Sequence, residues 1–91
     1  SNKNLEDIFK LEISPNPAVE EAIVSLDLSE MSNEVRISLI DLAGRKVVVN
    51  NLTNVQNLQH SIDVSNVLPG IYFVNTITDK GFTSRQLVVI K

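Results

Sequence analysis

Only two groupings in this chain have residue types that could perform chemistry, and the first is a histidine beside a serine. His60 stands directly before Ser61, so a potential base lies next to a potential nucleophile. A catalytic serine needs a strained turn such as Gly-x-Ser-x-Gly, or a carboxylate that orients the histidine, and the sequence places neither here. We interpret His60 as a solvent-exposed strand histidine, and we predict no catalytic residue and no enzyme activity.

The second grouping is acidic and suggests calcium. Glu20 and Glu21 are adjacent, and Asp27 and Glu30 follow. A calcium loop of the Asp-x-Asn/Asp-x-Gly type is missing, and adjacent strand residues point to opposite faces of a sheet. The chain has no cysteine and a single histidine, so a thiolate or imidazole metal set is excluded too. We predict no metal site and no cofactor.

Length and charge limit the classes of partner. The 91 residues carry a net charge of −3, and the eight basic residues are scattered. A phosphate-backbone binder would need a basic stripe, and a membrane span would need a far longer apolar run. We expect one domain that binds no nucleic acid and spans no membrane.

Alternation of apolar and polar residues runs through the chain and predicts strands. Ala22, Val24, Leu26 and Leu28 are one example. The pattern predicts an all-β fold, an immunoglobulin-like antiparallel β-sandwich of about seven short strands, with no helix. The predicted strands are 11–13, 22–28, 35–39, 46–50, 61–64, 71–77 and 83–90, with a polar turn at 29–34 and a loop or wandering edge at 50–57.

Three short motifs punctuate these strands. Pro-Asn-Pro-Ala at 15–18 makes a stiff edge entry, and Asp-Leu-Ala-Gly-Arg at 41–45 makes a hairpin turn. Pro-Gly-Ile-Tyr at 69–72 opens a strand, and the chain closes on an apolar strand followed by Lys91. In this order, the motifs resemble those of the C-terminal sorting domain of the type IX secretion system, also called the Por secretion system. The resemblance covers 11–91.

That resemblance implies a secretion signal rather than an enzyme. The domain would direct a larger cargo protein through the periplasm and across the outer membrane, to the cell surface or into the medium. Implied partners are the type IX translocon components, an outer-membrane β-barrel shuttle protein and a cysteine-type sortase. The residues from Ser1 to Lys10 would be a linker from the upstream cargo, and the sortase would cleave in or before it. The cargo would then be anchored at the cell surface. The first residues are also compatible with a cloning remnant.

The resemblance and the strand pattern together nominate site residues. The sorting-signal candidates are Gly70, Tyr72, Val74, Arg85, Leu87, Val89 and Lys91. The family-motif residues with structural roles are Pro15, Asn16, Pro17, Asp41, Gly44, Arg45 and Pro69. Two alternatives stay open: Asp41, Gly44 and Arg45 could contact a receptor directly, and the polar residues of the last strand could serve only to protect its edge.

The final strand, 83–90, is the best candidate for an edge to which a receptor adds a strand. The same edge could support an edge-strand homodimer. The alternative function is a carbohydrate-binding or adhesive β-sandwich module of an extracellular enzyme, which would need a platform of exposed aromatic rings. A spacer module is the third hypothesis, and it predicts tolerance of sequence added after Lys91.

Overall fold

A computed structural model describes residues 9–91, and this part of the chain is all β. Its strands are β1 (Phe9–Ser14), β2 (Glu21–Asp41), β3 (Lys46–Asp63), β4 (Gly70–Thr78) and β5 (Gly81–Val89). Most of the predicted linker lies outside the described residues, whereas its last two residues belong to β1. No helix within 9–91 is long and apolar enough to cross a membrane.

β2 is the central strand of the sheet. On one side it pairs with β3 along most of its length, and on the other side it pairs first with β1 and then with β4. β5 follows β4, so the order is β1-β2-β4-β5 with β3 beside β2, and all these pairs are antiparallel. The sheet therefore has two halves that share β2 and β3, and it curls so that both halves enclose one core.

The all-β antiparallel fold is confirmed and is consistent with an immunoglobulin-like β-sandwich, but residues 9–91 form five strands rather than about seven short ones. The predicted turn at 29–34 continues β2 through a register shift between Asp27 and Ser32. Ser32 is fully buried there; its hydroxyl donates to the Glu34 carbonyl at 2.6 Å and accepts from the Asp79 N–H at 3.0 Å. Residues 50–57 likewise lie within β3, where Asn54 has a φ of 54°. Polar residues at these points bend strands instead of ending them.

Inward-facing residues of both halves form the core. β4 is central in its half, because β2 and β5 flank it. The Tyr72 hydroxyl donates to the Leu68 carbonyl at 2.5 Å, which holds the Pro69 turn against the start of β4. The largest fully buried side chains are Ile37, Leu39, Ile62, Leu87, Val24, Val35, Val64, Val74 and Val89.

Candidate functional site

The Pro-Asn-Pro-Ala motif lies against the last strand. The Ala18 N–H donates to the Val88 carbonyl at 2.8 Å, and the Ala18 carbonyl accepts from the Ile90 N–H at 2.9 Å. These bonds form a parallel bridge beside Val89. Ala18 is completely buried, so even this short contact excludes water. The first family motif thus covers the outer edge of the last strand.

Asn16 extends this cover with its side chain. Its Nδ2 donates to the Gln86 carbonyl at 3.0 Å, and its Oδ1 accepts from the Val88 N–H at 3.0 Å. A carboxamide has the same donor and acceptor as a peptide group, so Asn16 takes the place of a neighbouring strand residue. Pro15 and Pro17 have no N–H to donate, which limits how far the segment can extend as a strand. We call residues 15–18 the edge cap.

Lys91 forms a second tie at the end of the chain. Its ammonium donates to three carbonyls, those of Val19 at 3.2 Å, Val64 at 2.8 Å and Ser65 at 2.8 Å. An ammonium has three donors, so all of them are used. Asp63 lies nearby, and its pKa is lowered chiefly by hydrogen bonds from the Ser65 hydroxyl and N–H, with a further contribution from the Lys91 charge. We call these three carbonyls the ammonium cradle.

Asp41 organises the middle motif. Its Oδ1 accepts the N–H groups of Ala43 and Arg45 at 2.9 Å, and its Oδ2 pairs with the Arg45 guanidinium at 3.0 Å. The Arg45 N–H is the largest cause of the lowered pKa of Asp41. Gly44 has a φ of 86°, a left-handed conformation that side chains disfavour. These contacts support the interpretation of this motif as a turn.

The three motifs lie at one end of the sheet. Asp41 is in register with Tyr72 on β4, and Tyr72 is in register with Leu87 on β5. The edge cap binds β5 beside this row. The β4–β5 hairpin turn at 79–80 lies at the opposite end. Residues far apart in sequence therefore share one corner of the domain.

The sorting-signal candidates divide into buried and exposed sets. Four face the core, with exposed fractions of 7%, 0%, 0% and 1%: Tyr72, Val74, Leu87 and Val89. Gly70, Arg85 and Lys91 are exposed, and the amine of Lys91 is already bound. Arg85 makes no side-chain hydrogen bond or ion pair with the residues from 9 to 91.

Among the outward-facing side chains of β5, sequence reasoning considered Gln86 as an edge residue and missed the others. On this strand, Leu87 and Val89 point inward, so the residues that alternate with this face point outward. The outward set is Phe82, Ser84, Gln86 and Val88. Phe82 is 51% exposed and is in register with Ile77, which is 45% exposed. The period-two pattern separates this set from the other face of β5, but it does not say which face points outward.

The two groupings considered for chemistry are not assembled into sites. The Ser61 hydroxyl donates to Glu21 Oε2 at 2.6 Å rather than to His60. His60 is half buried rather than solvent-exposed, and its Nε2 has no hydrogen-bond partner within the described part of the chain. Between residues 9 and 91, no three histidine, aspartate or glutamate side chains are grouped so that they could hold a metal ion.

Comparison with known proteins identifies the class. Residues 12–91 match the family described as secretion system C-terminal sorting domain. The match spans most of the chain, so the protein belongs to this family, and the resemblance drawn from the three motifs is confirmed. Its function is that of a sorting signal in type IX secretion. No curated protein sequence gives a significant match.

A solved structure supports the fold independently. The chain is similar to part of the crystal structure of dimeric latent PorU from Porphyromonas gingivalis, with a TM-score of 0.72 and 16% sequence identity. The similarity covers 90% of this chain and 9% of that protein. At this identity, the likeness establishes a shared fold.

Proposed function

We propose that this domain is the C-terminal part of an exported protein and that the type IX translocon recognises it in the periplasm as a folded unit. The cargo crosses the outer membrane, and an outer-membrane β-barrel shuttle protein receives the domain. A cysteine-type sortase then cleaves in or before residues 1–10, which leaves the cargo at the cell surface or releases it. The domain itself performs no catalysis.

The observation that carries this proposal is the double tie on the final strand. The edge cap and the ammonium cradle hold residues 86–91 to parts of the chain that precede them by 26 to 72 residues. A receptor that needed an unfolded tail would have to break these contacts first. Recognition of the folded surface leaves these contacts intact. The three motifs meet at one corner of the domain, and that corner is the surface they share.

Within that surface, we assign different roles to the candidate residues. Tyr72, Val74, Leu87 and Val89 contribute by packing, because their side chains are buried. Arg85 is a direct contact, since its guanidinium is exposed and is bound to no other described residue. Lys91 contributes indirectly, because its bonds to the ammonium cradle hold the end of the chain in place.

A reporter experiment tests the function. A fluorescent protein with an N-terminal secretion signal is joined before Ser1, and the fusion is expressed in a bacterium with type IX secretion and in an isogenic strain without the translocon. We expect reporter at the surface of the first strain and in the periplasm of the second. N-terminal sequencing of the released domain locates the cleavage. Equal surface reporter in both strains would refute the proposal.

A matched pair of variants tests whether the translocon recognises the folded domain. Val74→Asp places a charge in the core, and an unpaired buried charge unfolds a marginal domain. Glu12→Lys changes the charge at an exposed position on β1 and serves as the control. We expect the first to abolish surface delivery and the second to preserve it. Full delivery by Val74→Asp would favour recognition of an unfolded tail.

The carbohydrate-binding alternative has one supporting feature. A surface groove of about 400 Å³ is lined by polar and apolar residues, and the polar ones include Arg36, Asn51 and Asp79. Its lining contains no aromatic ring, and Tyr72 is buried. Binding of the domain to a glycan array, abolished by Arg36→Ala, would establish this function; no binding would exclude it.

A further inference from the structure

We propose that the receptor adds an extended strand to the part of the β5 edge that the edge cap leaves open, between Phe82 and Gln86. This inference rests on the proposed function and specifies how the folded signal is read. It assigns recognition to backbone groups and outward side chains that the sorting motifs do not include.

Hydrogen-bond directions define the open edge. The bonds from Val88 and Ile90 to the edge cap show that their peptide groups point away from β4. Directions alternate along an antiparallel strand, and the β4–β5 register runs without a bulge. The peptide groups of Phe82 and Ser84 and the N–H of Gln86 therefore also point outward. Within the described chain, these five groups have no partner.

The open edge lacks most of the usual protection against strand addition. Proteins shield edges with proline, bulges, covering segments or charged side chains, and Arg85 is the one such feature between Phe82 and Gln86. Here the cover ends at the Gln86 carbonyl, and no proline or bulge follows toward Phe82. Phe82 and its cross-strand neighbour Ile77 are half exposed beside the edge. An added strand would pair the free peptide groups and bury these two side chains together.

Arg85 specifies the chemistry of the occupant. It lies within the open segment, it is exposed, and it has no ion-pair partner among the described residues. No carboxylate between residues 9 and 91 forms an ion pair with it. The structure thus fits an extended segment that places an apolar side chain beside Phe82 and an aspartate or glutamate beside Arg85.

A second copy of this chain fits the edge less well. Two-fold pairing requires antiparallel strands, and a pair that uses the whole segment from Phe82 to Gln86 is centred on Ser84. Each copy would then place Lys80 of its hairpin turn opposite Val88 of the other copy. Asn16 of the edge cap already occupies that position. The cap therefore limits a symmetric pair to a few residues, whereas a receptor strand can end before it.

Ser84 offers a matched pair of variants. Ser84→Pro removes an outward N–H without removing a bond to β4, and edge strands accept proline. Ser84→Ala removes the hydroxyl and keeps the N–H. With the reporter fusion, we expect Ser84→Ala to reach the surface at the unmodified level. We expect Ser84→Pro to fall at least about fivefold, because it leaves a receptor carbonyl unpaired. Thermal melting checks that both variants remain folded.

The outcomes separate the inference from the proposed function. If the unmodified fusion needs the translocon, and Ser84→Pro stays folded and is delivered as well as Ser84→Ala, the inference is wrong and the function stands. If light scattering shows a dimer that Ser84→Pro abolishes without affecting export, the occupant is a second copy and the inference is also wrong.

Hydrogen exchange provides a test should Ser84→Pro fail to fold. In the unmodified domain, we expect the amides of Phe82, Ser84 and Gln86 to exchange rapidly and that of Val88 to be protected. Solubilised translocon complex should slow the first three at least about fivefold, as expected for newly formed hydrogen bonds. Unchanged exchange with the complex bound would overturn the inference.

Discussion

Asn16 accepts a hydrogen bond from the N–H of Val88, 72 residues later in the chain, at 3.0 Å. The same carboxamide donates to the Gln86 carbonyl, so one side chain pairs with two peptide groups of the final strand. This relationship explains the polar residue between two prolines. The prolines stiffen the segment, and asparagine supplies the donor and the acceptor that they lack.

The first prediction concerns this carboxamide. Asn16→Ala removes two hydrogen bonds, each contributing about 1 kcal/mol, and should lower the melting temperature by about 8–16 °C. Asn16→Asp keeps an acceptor but loses the donor to Gln86, so it should not restore stability. Gln59→Ala, at an exposed position on β3, is the control and should have little effect. Unchanged exchange of the Val88 amide in Asn16→Ala would contradict the prediction.

The second prediction concerns the ammonium cradle. Lys91→Met keeps the apolar stem but removes the charge that three carbonyls share, and should cost about 1–2 kcal/mol in the free energy of unfolding. Lys91→Arg should recover only part of this, because a planar guanidinium does not match an ammonium site. Denaturant unfolding measures both. Lys46→Met is the control on an exposed strand position, and an equal loss there would show that the cradle is not stabilising.

The alternation of residues was sufficient to predict the fold class and the turn around Gly44. It could not predict that β2 and β3 are continuous, because that depends on contacts made elsewhere. Ser32 lies in a polar run typical of a turn, yet Asp79 and Glu34 give it partners inside the fold. Asn54 lies in a run with weak strand propensity, and it is tolerated because β3 is an edge strand.

The candidate site was predicted only in part, for a similar reason. The motifs identified Asn16 and Lys91, but their roles depend on partners far away in sequence. Period-two alternation distinguishes two faces of β5 without saying which one faces the core. Burial resolves this, since Leu87 and Val89 are inside and Phe82 is outside. Contacts between distant residues, rather than local pattern, define the surface.

A third prediction follows from a polar atom in the core. Thr76 is fully buried, and its Oγ1 has no hydrogen-bond partner among the described residues. An unpaired buried hydroxyl costs about 1–3 kcal/mol, so Thr76→Val, which has a similar shape, should raise the melting temperature by at least about 4 °C. Ser32→Ala is the contrasting variant, because the Ser32 hydroxyl is paired, and it should lower the melting temperature. The same direction of change in both would refute this reasoning.

The last prediction concerns pH and the Asp41 turn. The pKa of Asp41 is lowered from its ordinary value of 3.8, chiefly by the Arg45 N–H, with the Arg45 charge contributing as well. A carboxylate whose pKa is lowered in the folded state binds its proton at a lower pH than it does in the unfolded chain. Its stabilisation is therefore complete above the ordinary pKa and is lost as the pH falls through the folded value.

Asp41→Asn isolates this contribution. At about pH 7, it should melt below the unmodified domain, because the charge that pairs with Arg45 is gone. The gap should begin to shrink as the pH falls below the ordinary value of 3.8, and it should close only below the lowered pKa of the folded state, where the unmodified carboxyl is protonated too. Asp63 also has a lowered pKa, but it is present in both proteins, so its acid sensitivity cancels in the difference. Melting curves across this range decide the matter: a gap that persists or widens in acid would mean that the charge of Asp41 does not stabilise the turn.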